Sequence, residues 1–241
     1  PLRLQPPGCG VALPIAPGLQ ISAAWQQDSA ADRLETLHDG AGLRSDSMSR
    51  TVRNVLSDLE RCGASFAPAL TGDGTLSTAG YALLRDGVLV GWAEGAAAAG
   101  VNLLLSRVDA DVVELPQADG TAALRVVGAK TRIRGVFDGE VLTGMDVKCR
   151  VEANLAEGAP ALQEEAARRR LEAELAAVEQ ERILAALELC RTLEGDFFSL
   201  AGAAGLSQPW RAEALRRQWD PSSLEVSVSV TAKLERSYDA G

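Results

Sequence analysis

The chain has 241 residues, 46% of them apolar, which is enough hydrophobic material for one large domain or two of ordinary size and excludes a disordered chain. A formal charge of −9 and a pI near 4.8 argue against a surface built to neutralise phosphates, so no nucleic-acid partner is expected. No run reaches the ~18 to 20 apolar residues needed to span a bilayer, and the longest, Ala96 to Leu105, is about half that length.

The chain opens at Pro1 without a Met, which reads as a processed form or a fragment whose targeting segment has been removed. Residues 1 to 45 are rich in Pro, Gly and Ala, and turn chemistry outweighs any period there. Gly8-Cys9 lacks the preceding apolar run that a lipidated cysteine needs, so Cys9 is read as a loop thiol. His38, the only histidine, sits in a Gly/Asp-rich loop and has no second histidine with which to build a metal site or a triad.

From Ser47 to Cys62, Val52, Val55, Leu56 and Leu59 fall at helical spacing and Gly63 stands where a helix stop belongs. Pro68, Gly72, Asp73 and Gly74 form a turn cluster. We read it as a boundary between an N-terminal region, residues 1–70, and a C-terminal α+β domain, residues 76–241. Asp86-Gly87 between two apolar runs predicts a two-residue type I′ hairpin, with Tyr81 and Leu83 facing Val88 and Val90. Glu94 to Arg107 reads as a helix that Gly100 would weaken by about 1 kcal/mol relative to Ala.

Three strands follow, at Asp111 to Leu115, Ala122 to Val136 and Glu140 to Leu155, with turns at Asp119-Gly120 and Asp138-Gly139. The last strand alternates Met145, Val147, Cys149, Val151, Ala153 and Leu155 with Asp146, Lys148, Arg150, Glu152 and Asn154, so one face is buried and one is wet. The middle strand changes parity at Val126-Val127, which predicts a bulge near Gly128.

The stretch from Leu162 to Leu206 begins with 33 residues that lack both Gly and Pro, and it predicts one long helix. Its apolar stripe is Leu171, Leu175, Val178, Ala186, Leu189, Cys190, Leu193, Phe197 and Leu200. Glu164, Glu165, Arg168, Arg169, Arg170, Glu172 and Glu174 form a charged face, read as solvated, with a docking surface as the alternative. A short helical turn opened by Pro209 runs to Trp219, Pro221 stops it, and Val226 to Glu235 alternates as a final strand. The predicted fold class is α+β, an antiparallel sheet with the long amphipathic helix across one face plus a smaller N-terminal region.

No catalytic, cofactor-binding or metal-ligating residue is assigned and no cofactor is expected, because acidic pairs occur without a histidine, a nucleophile signature or a ligand spacing. Cys9, Cys62, Cys149 and Cys190 lack C-x-x-C spacing and are read as small buried hydrophobes, with a disulfide as the alternative. Trp25, Trp92, Trp210 and Trp219 are read as core or rim anchors rather than a cofactor box.

The hairpin GYALLRDGVLVGW from Gly80, the meander with AKTRIRGVFDGE, the helix ending GDFFSLAG, and the Pro-Trp turn before a V-x-V-x-V strand resemble the C subunit of spore germinant receptors, the Ger(x)C family. The resemblance covers roughly Leu70 to Arg236, and its motif residues are Gly80, Gly91, Asp196, Phe198 and Gly202. It implies a non-catalytic subunit of a germinant receptor that takes part in nutrient-triggered spore germination with integral membrane subunits. It also implies a lipoprotein on the outer face of the inner spore membrane whose lipid anchor is missing from the chain as given, residues 1–45 being the remnant of an upstream domain. The alternative is an extracytoplasmic binding module that recognises a small ligand or cell-wall component.

Overall fold

The structure of the protein is a computed structural model that describes residues 13–14, 48–71, 77–108, 110–117, 120–157 and 165–235. Helix α1 (Val52–Cys62) is capped at both ends, and its stop at Gly63 is where the sequence predicts it. The Thr51 hydroxyl accepts the Asn54 amide at 3.2 Å, and Gly63, at φ 68°, donates its N–H to the Leu59 carbonyl. Cys9, Trp25, His38 and residues 162–164 lie outside the described residues.

Among the described residues there are two four-stranded sheets. The first runs β1 (Leu13–Pro14), β2 (Ala64–Thr71), β3 (Ser77–Arg85), β4 (Val88–Ala93). Its hairpin turns at Asp86 and Gly87 with φ 51° and 78°, the double left-handed pair that a type I′ turn requires. The register differs from expectation. Tyr81 pairs with Ala93 and Leu83 with Gly91: the two-residue turn pairs Arg85 with Val88, which places Tyr81 four residues away from Val88's rung, and a one-residue shift between Leu83 and Leu84 moves Leu83 on from Val90 to Gly91.

Residues 64 to 71 are a strand rather than the lead into a linker. Pro68 lies inside β2, beside an irregularity where the missing N–H is tolerated, and β2 pairs antiparallel with β3. Phe66 is 1% exposed and shares one core with Tyr81, Leu124 and Phe198. The predicted boundary at 70/76 falls between two strands that pair with each other.

The second sheet runs β5 (Asp111–Gln117), β6 (Gly120–Asp138), β7 (Val141–Glu157), β8 (Glu225–Glu235). The meander β5-β6-β7 is antiparallel, and the shift between Val126 and Gly128 is the predicted bulge. Strand β8 lies parallel to β7, so the sheet is mixed where an antiparallel one was expected. The intervening helix α3 (Glu165–Thr192) returns the chain to the same end of the sheet, which is the crossover a parallel pair requires.

Helix α3 buries Leu171, Leu175, Glu179, Ile183, Ala186, Leu187 and Cys190. Val178, Leu189 and Leu193 are only partly buried, at the flanks of that stripe. The helix also ends earlier than predicted, in a Schellman closure: Glu194 takes φ 50°, its N–H reaches the Arg191 carbonyl, and the Gly195 N–H reaches the Cys190 carbonyl. Phe197 and Leu200 are buried, but by the chain after this turn rather than by the helical stripe. Helices α4 (Leu200–Ser207) and α5 (Ala212–Gln218), joined by a 3-10 turn at Pro209–Arg211, lead into β8.

Helix α2 (Gly95–Leu104) crosses α3 at very close range. A Cβ added at Gly100 would stand 1.9 Å from the Arg182 carbonyl oxygen, so this glycine allows two helix backbones to meet. Helix propensity by itself predicts that Gly100→Ala adds about 1 kcal/mol of stability. Against that packing the expected outcome has the opposite sign, a net loss of ~1 to 3 kcal/mol in urea denaturation. A raised midpoint would show that the two backbones do not approach so closely.

Candidate functional site

The C-terminal end of α1 meets the segment that follows α3. Asp58 and Arg61 pair at 2.8 Å on the last turns of α1, and Asp58 also holds Arg50 at 2.5 Å. Arg61 reaches across to donate to the Ser199 hydroxyl at 2.8 Å. Beside it, the buried Asp196 accepts the backbone amides of Leu200 at 2.6 Å and Ala201 at 3.0 Å. The carboxylate thereby takes up two of the four amide donors that open α4 and is favoured there by the helix dipole. Phe198 packs edge-on against Phe66, with centroids 5.6 Å apart, and Phe66 packs edge-on against Tyr81 at 5.1 Å. The motif residues thus have structural tasks: Asp196 starts α4, and Phe198 ties it to the first sheet.

The hairpin motif docks onto the end of the long helix. A Cβ at Gly91 would sit 2.8 Å from the Leu193 side chain, and at Gly80 (φ +71°) one would meet the Ala93 carbonyl oxygen at 2.0 Å. Arg85 donates to the Leu193 carbonyl at 2.7 Å, satisfying an orphan acceptor at the C-terminus of α3.

Arg61, Cys62, Asp196, Leu206, Arg216 and Trp219 line a cleft of about 560 Å³ between α1 and the α4–α5 pair, floored by the small residues Ala201, Gly202, Gly205 and Ala212. Leu206 at its rim is 86% exposed and the nearby Trp210 is 76% exposed. Trp92 and Trp219 are partly buried, which fits the anchor reading for those two.

The groups in the cleft are poorly suited to covalent chemistry. Burial, with the neighbouring Asp196 charge, pushes the Cys62 thiol up, so at neutral pH it is a thiol rather than the nucleophilic thiolate. Cys62, Cys149 and Cys190 are free, Cys149 and Cys190 being buried. Among the described residues there is no cluster of His, Cys, Asp or Glu able to hold a metal ion. The reading of the motifs as a resemblance located this region, but the spacing alone did not show that Arg61 and Asp196, 135 positions apart, line one cleft.

Desolvation raises the Asp196 pKa from 3.8 to about 6, against the opposing pull of the two amides and Arg61. A folded-state pKa above the unfolded value gives a stabilising contribution that is fully present below about pH 4 and is lost as pH rises through 6. Relative to the parent, Asp196→Asn is expected to remove a pH-dependent component on the order of 3 kcal/mol between those limits. Parallel urea titrations at pH 4 and pH 7 check this, and identical slopes in the two proteins would refute it.

The described residues define an α+β protein in which two mixed sheets share a core with a pair of crossing helices. The chain belongs to the family described as "Spore germination B3/ GerAC like, C-terminal", whose profile matches residues 79–238, and the resemblance read from the motifs is borne out. Among solved structures, the crystal structure of the GerBC protein matches with a TM-score of 0.65 and 12% sequence identity. The match covers 77% of this chain and 60% of that one, so the chain spans about three fifths of the length of that relative. At this identity the likeness concerns the fold. No curated protein matches the chain. Among the described residues no helix is long and apolar enough to cross a membrane.

Proposed function

We propose that this protein is the C-terminal part of a non-catalytic subunit of a spore germinant receptor, acting in nutrient-triggered germination with integral membrane subunits. The observation that carries the reading is the family match across 79–238, the region that holds most of β3, all of β4, the whole second sheet and the long helix. In this reading the full-length protein is a lipoprotein on the outer face of the inner spore membrane, and it works by holding partners together. The test is co-purification of the full-length protein with the integral subunits from spore membranes, with a gene deletion that abolishes the response to a nutrient. A free monomer together with normal germination in the deletion strain would overturn it.

The cleft supports a second reading, a module that binds a small ligand. Arg61 and Arg216 supply positive charge, and Trp219 supplies an aromatic face whose buried Nε1 has no hydrogen-bond partner. Binding of an anionic nutrient or wall fragment to the isolated chain, lost in Arg61→Ala, would favour this reading over the assembly role.

A further inference from the structure

The outer face of the second sheet carries positive charge out of proportion to the rest of the chain. Along β6, Lys130, Arg132 and Arg134 point outward and are exposed, and along β7 so do Lys148 and Arg150. The opposite face, with Ile133, Val147, Cys149 and Val151, is buried in the core beneath the helices. Lys233 on β8 joins the outer set, so all three lysines of a chain with net charge −9 lie on this one face.

The register sets like charges side by side. Lys130 stands directly opposite Arg150, and Arg132 directly opposite Lys148. Such antiparallel pairs are destabilising, and alternating signs would serve the fold better. Asp146, directly opposite Arg134 and within 3.5 Å of Lys148, and Glu152, opposite Lys233, are the carboxylates within the array, while Glu114, Glu225 and Glu235 lie at its margins. Among the described residues no carboxylate is within ion-pair distance of Lys130, Arg132, Arg134 or Arg150. The neighbours on β8, Ser229 beside Lys148 and Thr231 beside Arg150, are small and leave the cations standing clear.

We propose that this face docks on an anionic phospholipid surface. Charge complementarity selects a polyanion, and the rest of the face selects a planar one. Its outward positions hold no aromatic residue, whereas protein interfaces draw their energy from buried aromatic anchors and are depleted in lysine. Single-stranded nucleic acid would need the same aromatics as stacking platforms. A sheet surface of fixed cations matches a plane of headgroup phosphates, which attracts each basic side chain within a Debye length. The contact is independent of the receptor reading, since it belongs to the isolated chain and would hold the second sheet flat against the bilayer.

The experiment is sedimentation of the 241-residue chain with phosphatidylcholine vesicles and with vesicles containing about 30% phosphatidylglycerol, at about 0.1 M salt. Binding is expected to be at least ~10-fold stronger to the anionic vesicles and to weaken as salt rises. The triple variant Lys130→Gln, Arg132→Gln, Arg150→Gln is expected to lose about 10-fold or more of that binding, while its thermal midpoint is unchanged or raised because cross-strand repulsion is relieved. Lys148→Gln alone should give a smaller loss, and Arg169→Gln, on the exposed side of α3, none. Equal binding to both vesicle types, undiminished binding by the triple variant, or retention on an acidic protein or nucleic acid but not on vesicles would each overturn the proposal.

Discussion

Arg182→Ala is expected to lower the stability of this protein by ~3 to 5 kcal/mol, because it leaves a buried carboxylate without its counter-ion. Glu179 is 1% exposed in the middle of the apolar stripe of α3. Arg182, one turn on, donates to both of its oxygens at 3.2 and 3.3 Å and extends to the carboxylate of Asp111 at the start of β5. Burial pushes the Glu179 pKa up, and Arg182 pulls it back towards the charged form. Without the guanidinium, Glu179 must either stay charged in the core or bind a proton. The loss should therefore be larger at pH 7 than at pH 5, since protonation relieves it. Replacing the pair together, Glu179→Leu with Arg182→Met, is expected to recover most of the stability, as apolar substitutes for buried ion pairs do. Urea midpoints of the two variants at both pH values check this. A midpoint for Arg182→Ala equal to that of the parent would mean that Glu179 is not held in the core.

Phe197→Ala is expected to cost a similar ~3 to 5 kcal/mol. The ring is fully buried, with its centroid 6.4 Å from that of Phe198, and Gly195 leaves room for it: a Cβ there would meet the ring at 2.7 Å. Removing the ring opens a cavity between the end of α3, the start of α4 and the first sheet, where the Schellman closure and the Asp196 cap hold the backbone and limit collapse. Denaturant unfolding with an unchanged slope and a lowered midpoint is the expected signature. The helical stripe predicts the burial of this residue, yet the helix ends at Thr192 and Phe197 reaches the core from the turn beyond it. Arg169, on the exposed side of the same helix, should tolerate Ala within ~0.5 kcal/mol.

Local chemistry explains which elements could be read in advance. The alternation of β7 and β8, the Gly63 cap, the Asp86-Gly87 turn and the bulge at Gly128 each depend on a few neighbouring residues, and all of them appear where the pattern places them. The end of α3 was not legible, because a Schellman closure normally shows itself by a glycine in the left-handed position and here Glu194 occupies it. Pro68 misled for the opposite reason: a residue that usually marks a turn sits inside a strand at an irregularity. Glu179, Ile183 and Leu187 were missing from the predicted stripe, and a charged residue on the buried side can be recognised only once its partners are known.

By itself the sequence determined the α+β class, the amphipathic faces, the turns and the family motifs, since each is written in residues close along the chain. Only the tertiary structure decided that β2 belongs to the same core as the later strands and that β8 runs parallel to β7. It alone decided that Gly100 must be small for α3 to approach, that Arg61 and Asp196 line one cleft, and that the cations of β6 and β7 stand opposite one another. These are pairings between segments tens of residues apart. Strand order, crossing distance and register are set by how whole faces pack together, and no local period encodes which face meets which.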